Sequence, residues 1–472
     1  MVIVEPWAGR GCTSRAGSAR FPGPGIIGRM NRPEPSSSSR LRLAAGIARS
    51  AARAGSRLLA ERTAAARLPA AYRPQPADAF IAAAHHAGDD GSLYQLEQWL
   101  WPFERLAERL REETGIAEPF GILTRSAPHA QRLTERTDLP VRYSRHSSGL
   151  DAFMSAPGLR VVYYANQATQ NFQALRYPRP AHVHLSHGES EKISMISNQL
   201  KAYDRVFTAG PAARERLLHM LIELPAEHLV DVGRPQLDAP RAVPADVLTG
   251  ASTAEGPATV GASSGTGDSS AIDPRPLVFL APTWEGDSPA MAYGTLPESG
   301  EALVEALHAA GMRVLYRPHP RIGRIDPRFA RAHERVSALV SAAPGSCVDD
   351  SPGVGWQFDV ADACVAEMSS VAFDWLATGK PLVMLRPVHP GAEVLPGGLF
   401  DRVPAVRPGM PGAAAEVLAA LSAELTVGTG REARLATGRH YLGDTTPGAQ
   451  QARFEDRSLE LIRLRDAQLA DT

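Results

Sequence analysis

The sequence predicts an α/β protein made of two similar domains that face each other across a cleft, with a basic extension in front. Three observations carry that prediction. Short apolar runs alternate with helical text in two successive series, the pattern of parallel strands joined by helical crossovers. The series are separated by 249–273, which has no aromatic residue and consists mainly of Gly, Ser, Thr and Ala, the composition of a flexible insert. The length of 472 residues is enough for two or three cores.

The elements follow in order. Residues 1–39 are rich in Gly, Pro, Ser and Arg and are expected to be disordered. The stretch 40–68, RLRLAAGIARSAARAGSRLLAERTAAARL, reads as a basic, weakly amphipathic helix. It serves either as a solvated tether or as a helix lying on an anionic membrane. Residues 1–75 carry 13 Arg, 3 Glu and no Lys or Asp, so a chain with net charge −1 hides a strongly basic leader. The first series then runs through helical text at 93–110, strands FGIL (120–123), VVYYA (161–165), HVHLS (182–186) and RVFTA (205–209), and a helix at 212–221. His85 and His86, followed by Asp89 and Asp90, read as a solvated turn with no recognised metal-ligand spacing. The second series holds LVFLAPTW (277–284), a helix at 299–310, RVLYRPHP (313–320), the strand-to-helix text around CVAEMSSVAFDWLA (364–377) and PLVML (381–385). Asp349 and Asp350 before Ser351 and Pro352 read as a simple turn. The tail from 411 is helical, and a polar helix near 448–465 is expected to pack back across the domains. The expected division is thus a leader at 1–75, a domain at 76–240, a linker or insert at 241–275, a second domain at 276–440 and a returning helical segment at 441–472.

Several function classes fall away. No run reaches the 18 to 20 apolar residues that cross a membrane, and the N-terminus is not a clean signal peptide. Cys12, Cys347 and Cys364 are too few and too scattered for a disulfide framework. The excess positive charge is confined to the leader without stacking aromatics around it, so nucleic acid is not an expected partner. There is no lysine phosphate loop, no dinucleotide fingerprint after a strand and no hydrolase elbow, and neither cofactor nor metal is expected.

Three polar clusters lie where an open parallel sheet binds ligands, at the carboxyl ends of strands. HVHLS leads into HGESEK, placing His187, Gly188, Glu189 and Lys192 in a strand-to-helix loop. Gly188 permits close backbone approach, and His187 can accept a proton near neutral pH. His182 and His184 read as structural. RVLYRPHP presents Arg317, a planar donor fork suited to phosphate, with His319 beside it. AEMSSVAFDWLATGKP places Ser369 or Ser370 as the cap of a helix whose exposed amides suit an anion, with Glu367 just before it, either open to ligand hydroxyls or supporting the first turn. Only three lysines occur, Lys192, Lys201 and Lys380, all in or beside these motifs.

Taken together, HVHLSHGESEK, AYDRVFTAG, VGRPQLD, LAPTWEG, YRPHP, AEMSSVAFDWLATGKP and RHYLGDTTPGAQQARF resemble, in order and approximate spacing, the CDP-glycerol glycerophosphotransferase family of teichoic-acid primases and polymerases. The resemblance covers about 118–465 and leaves the leader outside. It implies a GT-B arrangement of two Rossmann-like domains, with the acceptor on the side of 76–240 and CDP-glycerol held by 276–440. It also implies a cytoplasmic enzyme, peripheral on the inner face of the membrane, that moves glycerol phosphate to a hydroxyl of a lipid-linked acceptor and releases CMP. His187 would be the base, Arg317 and His319 would contact the diphosphate, and Ser369 and Ser370 would serve the phosphates. Glu367 stands where the family usually has Asp, which leaves CDP-ribitol or another CDP-alditol open. A nucleotide-sugar glycosyltransferase and a non-catalytic membrane-tethered scaffold are the competing readings. Oligomeric state is left open.

Overall fold

The computed structural model describes residues 68–88, 91–186, 188–244, 273–351, 353–428 and 430–471, together with 55, 62–64 and 66. The expected disorder at 1–39, nearly all of the 40–68 helix, Asp89, Asp90, most of the Gly/Ser stretch and His187 lie outside the described residues. Residues Ala60–Thr472 form one compact unit that contains both sheets; in Met1–Leu59 only Gly55 is described, as an exposed helical residue.

The first sheet comprises β1 (Ala82–His86), β2 (Phe120–Thr124), β3 (Val141–Tyr143), β4 (Val161–Tyr164), β5 (Ala181–His184), β6 (Arg205–Thr208) and β7 (Leu229–Asp231). Its order is β3-β2-β1-β4-β5-β6-β7, and every pairing is parallel. The second comprises β8 (Leu277–Ala281), β9 (Arg313–Tyr316), β10 (Cys347–Val348), β11 (Ala363–Ala366), β12 (Leu382–Leu385) and β13 (Ala405–Val406). It runs β10-β9-β8-β11-β12-β13, again all parallel. Each chain path moves outward on one side and then returns beside its first strand. This creates a switch point between β1 and β4 in one sheet and between β8 and β11 in the other, where ligand crevices open.

Continuous apolar text forms these strands because both sheet faces are covered. In β4, Val161 and Tyr163 enter one core with Phe103, Phe120 and Phe454, while Val162 and Tyr164 enter another with Phe80, Leu150 and Phe153. In β8, Leu277, Phe279 and Ala281 face one core and Val278 and Leu280 the other.

The central strand of the first sheet was not legible in this way. The expected turn at His85 and His86 is instead the end of β1, and both imidazoles are 1% exposed. The run AAAHH has weak strand propensity, but Ala82 lies between Phe120 and Val161. Small residues there leave volume for the stacked rings of Phe103 and Phe120, 4.8 Å apart.

The helix Ala449–Ala470 places Phe454, Leu459, Leu461 and Ile462 in the core of the first sheet. Its first turn is held from outside, since the N–H groups of Gln450 and Gln451 donate to Asp238 Oδ2 at 3.0 and 2.8 Å. The same VGRPQLD segment ties the sheets together. Arg234 donates through Nε and Nη2 to the two oxygens of Asp374 at 2.9 and 3.1 Å, with both side chains about 5% exposed or less.

Candidate active site

The loops at the two switch points face one cleft of about 720 Å³. Gly88, Asn166, Gln167, Ser186, Gly188, Ser190 and Lys192 line it from the first sheet, and Thr283, Trp284, Arg317, His319, Arg321, Ser369 and Ser370 from the second.

The loop after β5 explains why the halves meet here. Ser186 holds a left-handed backbone, φ 60°, costly for a residue with a Cβ, and its carbonyl accepts from Trp99 Nε1 at 2.8 Å. At Gly188 a Cβ would lie 2.5 Å from Ser370 Cβ, so only glycine lets this backbone approach the opposite wall. Glu189 turns away to the Arg216 guanidinium at 2.5 Å. Glu191 crosses over, accepting from Leu399 N–H at 2.8 Å and Tyr441 O–H at 2.5 Å. Lys192 crosses as well, and its Nζ donates to Thr283 Oγ1 at 3.0 Å. Burial pushes the Lys192 ammonium down to about 8, while the nearby Glu367 carboxylate works in the opposite direction. His187 lies outside the described residues; its neighbours Ser186 and Gly188 both line the cleft.

On the facing wall, LAPTWEG is the scaffold. Thr283 N–H donates to Glu367 Oε2 at 2.7 Å. Trp284 lies under the Arg321 guanidinium, 3.6 Å from ring centroid to carbon, a cation–π contact, and also stacks on His319 at 6.3 Å. Glu285 accepts from the backbone N–H groups of Gly323, Ile325 and Asp326 at 2.9, 2.7 and 3.1 Å, which fixes the loop that carries Arg321. Gly286 then turns with φ 82°, where a Cβ would stand 2.2 Å from Met291 O.

His319 Nδ1 accepts from Arg321 N–H at 3.1 Å. The neutral ring therefore carries its proton on Nε2, as a donor. Ser369 is 7% exposed, lines the cleft and has a buried hydroxyl oxygen without a hydrogen-bond partner among the described residues. An orphaned buried hydroxyl is costly unless something else satisfies it.

Two expected roles are corrected by this geometry. Ser369 occupies the N-cap position of the helix Ser370–Trp375 but makes no side-chain cap bond. Glu367 is not open to a ligand hydroxyl. Besides Thr283 N–H, it accepts from Thr295 N–H at 2.6 Å and Thr295 O–H at 2.5 Å. It is 1% exposed and does not line the cleft. Burial raises its carboxyl to about 7.

Arg317 does line the cleft, yet its fork is largely engaged. Nη1 donates to Asp349 Oδ2 at 2.5 Å and Ser351 Oγ at 3.2 Å, and Nη2 to Ser351 O at 2.9 Å. Asp349 is accordingly more than a turn residue: it is 6% exposed and also accepts from Gln357 Nε2 at 2.5 Å. Of the two arginines on the second wall, Arg321 is the one that makes no ion pair among the described residues; neither it nor Trp284 was among the expected site residues. Its signal was present as RPHPR, an arginine two residues beyond the histidine and held by the same proline-stiffened loop. His182 is structural as expected, bonded to Tyr164 O–H and Tyr177 O at 2.8 Å each. No group of three or more potential metal ligands occurs among the described residues.

Two parallel-sheet α/β halves facing across a cleft lined by cationic and hydroxyl donors define a GT-B-like architecture. Similar solved structures share this architecture. The wall teichoic acid polymerase TagF is 12% identical over 84% of this chain and 92% of that one, with a TM-score of 0.50. A candidate UDP-N-acetylglucosamine 2-epimerase from Listeria monocytogenes is 14% identical over 83% and 97%, with a TM-score of 0.52. No curated protein matches by sequence. Residues 267–388 match the model of the family described as CDP-Glycerol:Poly(glycerophosphate) glycerophosphotransferase, a span that holds TWEG, RPHPR and the serine pair. The second domain of the chain is thus similar to that family, and the rest of the chain lies outside the matched span.

Proposed function

We propose that the enzyme transfers glycerol phosphate from CDP-glycerol to a hydroxyl of a lipid-linked acceptor and releases CMP. The observation that carries this reading is the donor set on the second wall: an Arg321 guanidinium without an ion pair, the Nε2–H of His319 and the orphaned Ser369 hydroxyl line one cleft. Such a set suits a diphosphate, whose oxygens only accept. Lys192 adds an ammonium from across the cleft, and Ser370 a second hydroxyl. In this reading Arg317, tied to Asp349, orients the His319 loop, and Glu367 positions Thr283 and thereby Lys192.

The acceptor hydroxyl oxygen forms a bond to the phosphorus that bears glycerol, and the bond from that phosphorus to the CMP oxygen breaks. The electron pair leaves with CMP. The hydroxyl proton passes to His187, the base assigned by family resemblance. Fixed donors around the developing charge lower the barrier because they are oriented before reaction begins. Attachment to the inner membrane face through 40–68 accompanies this reading. No described helix is long and apolar enough to cross a membrane, and a basic leader suits anionic lipid.

The test is a donor panel of CDP-glycerol, CDP-ribitol and nucleotide sugars, incubated with lipid-linked acceptors and read by CMP or other nucleotide release and by product length. CMP release from CDP-glycerol alone is the expected outcome. Release from CDP-ribitol or a nucleotide sugar instead overturns the donor assignment.

A further inference from the structure

We infer that Glu191 is a positioning residue for the transfer, setting the loop 188–192 against the helix Ser370–Trp375 that the paired serines begin. The kinetic side of this inference rests on the function proposed above. The loop is fastened to the first half at two points: Ser186 O accepts from Trp99, and Glu189 accepts from Arg216 on the helix Pro211–Met220. Glu191, two residues further on, is held by the other half. Its Oε2 accepts from Leu399 N–H and its Oε1 from Tyr441 O–H, groups 208 and 250 positions along the chain. The side chain is buried and makes no ion pair among the described residues, since Arg216 pairs with Glu189 instead.

Carboxylate oxygens only accept, and a buried carboxylate without a cation is costly unless its oxygens are satisfied. Here both donors come from the second half, so the charge is satisfied at one spacing of loop and partner and stranded at others. Those partners bear on the serine helix. Tyr441 is buried with its ring 5.2 Å from that of Phe373, and Leu399, Tyr441 and Phe373 share one core. Phe373 lies one turn beyond Ser370, the residue that Gly188 packs against. The loop thus meets this helix twice, directly at Gly188 and through Tyr441 at Phe373. Gly398 makes the fit possible, because a Cβ there would collide with Glu191 Oε2. Glu191 does not itself line the cleft. It acts through its neighbours, fixing the loop that follows His187 relative to Ser369 and Ser370.

The experiment uses the full chain and two readouts, steady-state kinetics with CDP-glycerol and hydrogen–deuterium exchange without any ligand. Glu191→Ala should lower kcat about 10-fold to 100-fold, the cost of a misplaced reacting group, with KM for CDP-glycerol within about twofold of the parent. Exchange should rise in peptides covering 188–199 and stay parental in β4 and β11. Glu191→Gln can still accept from Leu399 N–H and donate to the Tyr441 hydroxyl, and should recover most of kcat. Gly398→Ala leaves the loop sequence intact and displaces the carboxylate from the far side, so it should reproduce the kinetic and exchange signature of Glu191→Ala. Parental kcat in Glu191→Ala, a rise in exchange spread evenly over both sheets, or parental behaviour of Gly398→Ala overturns the inference. The two readings fail separately: a parent enzyme that releases no CMP from CDP-glycerol sinks the proposed function, whereas parental exchange at 188–199 in Glu191→Ala sinks this one.

Discussion

The two walls of the cleft are built alike and differ in chemistry. Each is formed by loops at the switch point of a parallel sheet, β1 and β4 on one side and β8 and β11 on the other. The first presents glutamines, serines and a tyrosine; the second presents Arg321, His319 and Ser369 around Trp284. Backbone topology therefore settles where the cleft opens, and the loop residues settle the chemistry of each wall. Between the walls runs one loop, 188–192, whose side chains reach both.

The comparison can be broken at several points. The largest expected effect is that of His187→Ala, which should lower kcat about 10²–10⁴-fold, the usual worth of a general base, while calorimetry still records CDP-glycerol binding. Parental turnover in that variant would remove His187 from the mechanism. Next is the tie between the walls. Arg234→Met leaves Asp374 buried without its partner and should cost about 3–5 kcal/mol of stability, read by urea unfolding. Arg234→Met combined with Asp374→Leu should cost less, because no charge is then stranded. An unchanged unfolding midpoint in the single variant would show that the pair does not hold the halves.

Arg321→Ala tests the donor wall directly. Loss of a charge-assisted contact worth about 1.5–3 kcal/mol should raise KM for CDP-glycerol more than tenfold. Arg317→Ala should act less on KM and more on thermal stability, because its guanidinium is bonded to Asp349 and Ser351. The reverse ranking would return the diphosphate to Arg317.

The smallest effect is a pH dependence. Burial holds the Lys192 ammonium at about 8, below its ordinary 10.5. An anionic donor favours the protonated form, so affinity should be full below about pH 8 and fall above it. Lys192→Arg should carry the plateau to higher pH. Folding stability moves the other way. Between about 8 and 10.5 the unfolded chain binds the proton that the folded chain has released, so stability rises with pH across that window. A donor KM that is flat from pH 7 to 9.5 would exclude Lys192 from the donor site.

Much of the fold was legible because strands covered on both faces are written as unbroken apolar runs. VVYY and LVFLA could be placed from text alone, and the polar loops after them marked the cleft. AAAHH could not, since its place at the centre of the sheet depends on the bulk of Phe120 and Tyr163 contributed by neighbouring strands. The serine pair, Arg317 and His319 were found as residue types at strand ends. Sequence offered no means of knowing that Asp349, 32 positions beyond Arg317, occupies its fork, or that Thr295, 72 positions before Glu367, closes off that carboxylate.

What the sequence determined by itself was periodicity and residue chemistry: two series of parallel strands, glycine where backbones must approach, and phosphate-type donors at loop positions. Those properties are local, set by side-chain shape and hydrogen-bonding capacity within a few residues. Tertiary structure alone decided which charged groups remain available. A buried charge takes the nearest partner that packing supplies, and that partner lies far away along the chain. Arg317 and Glu367 are engaged for that reason, whereas Arg321, held flat on Trp284, is not.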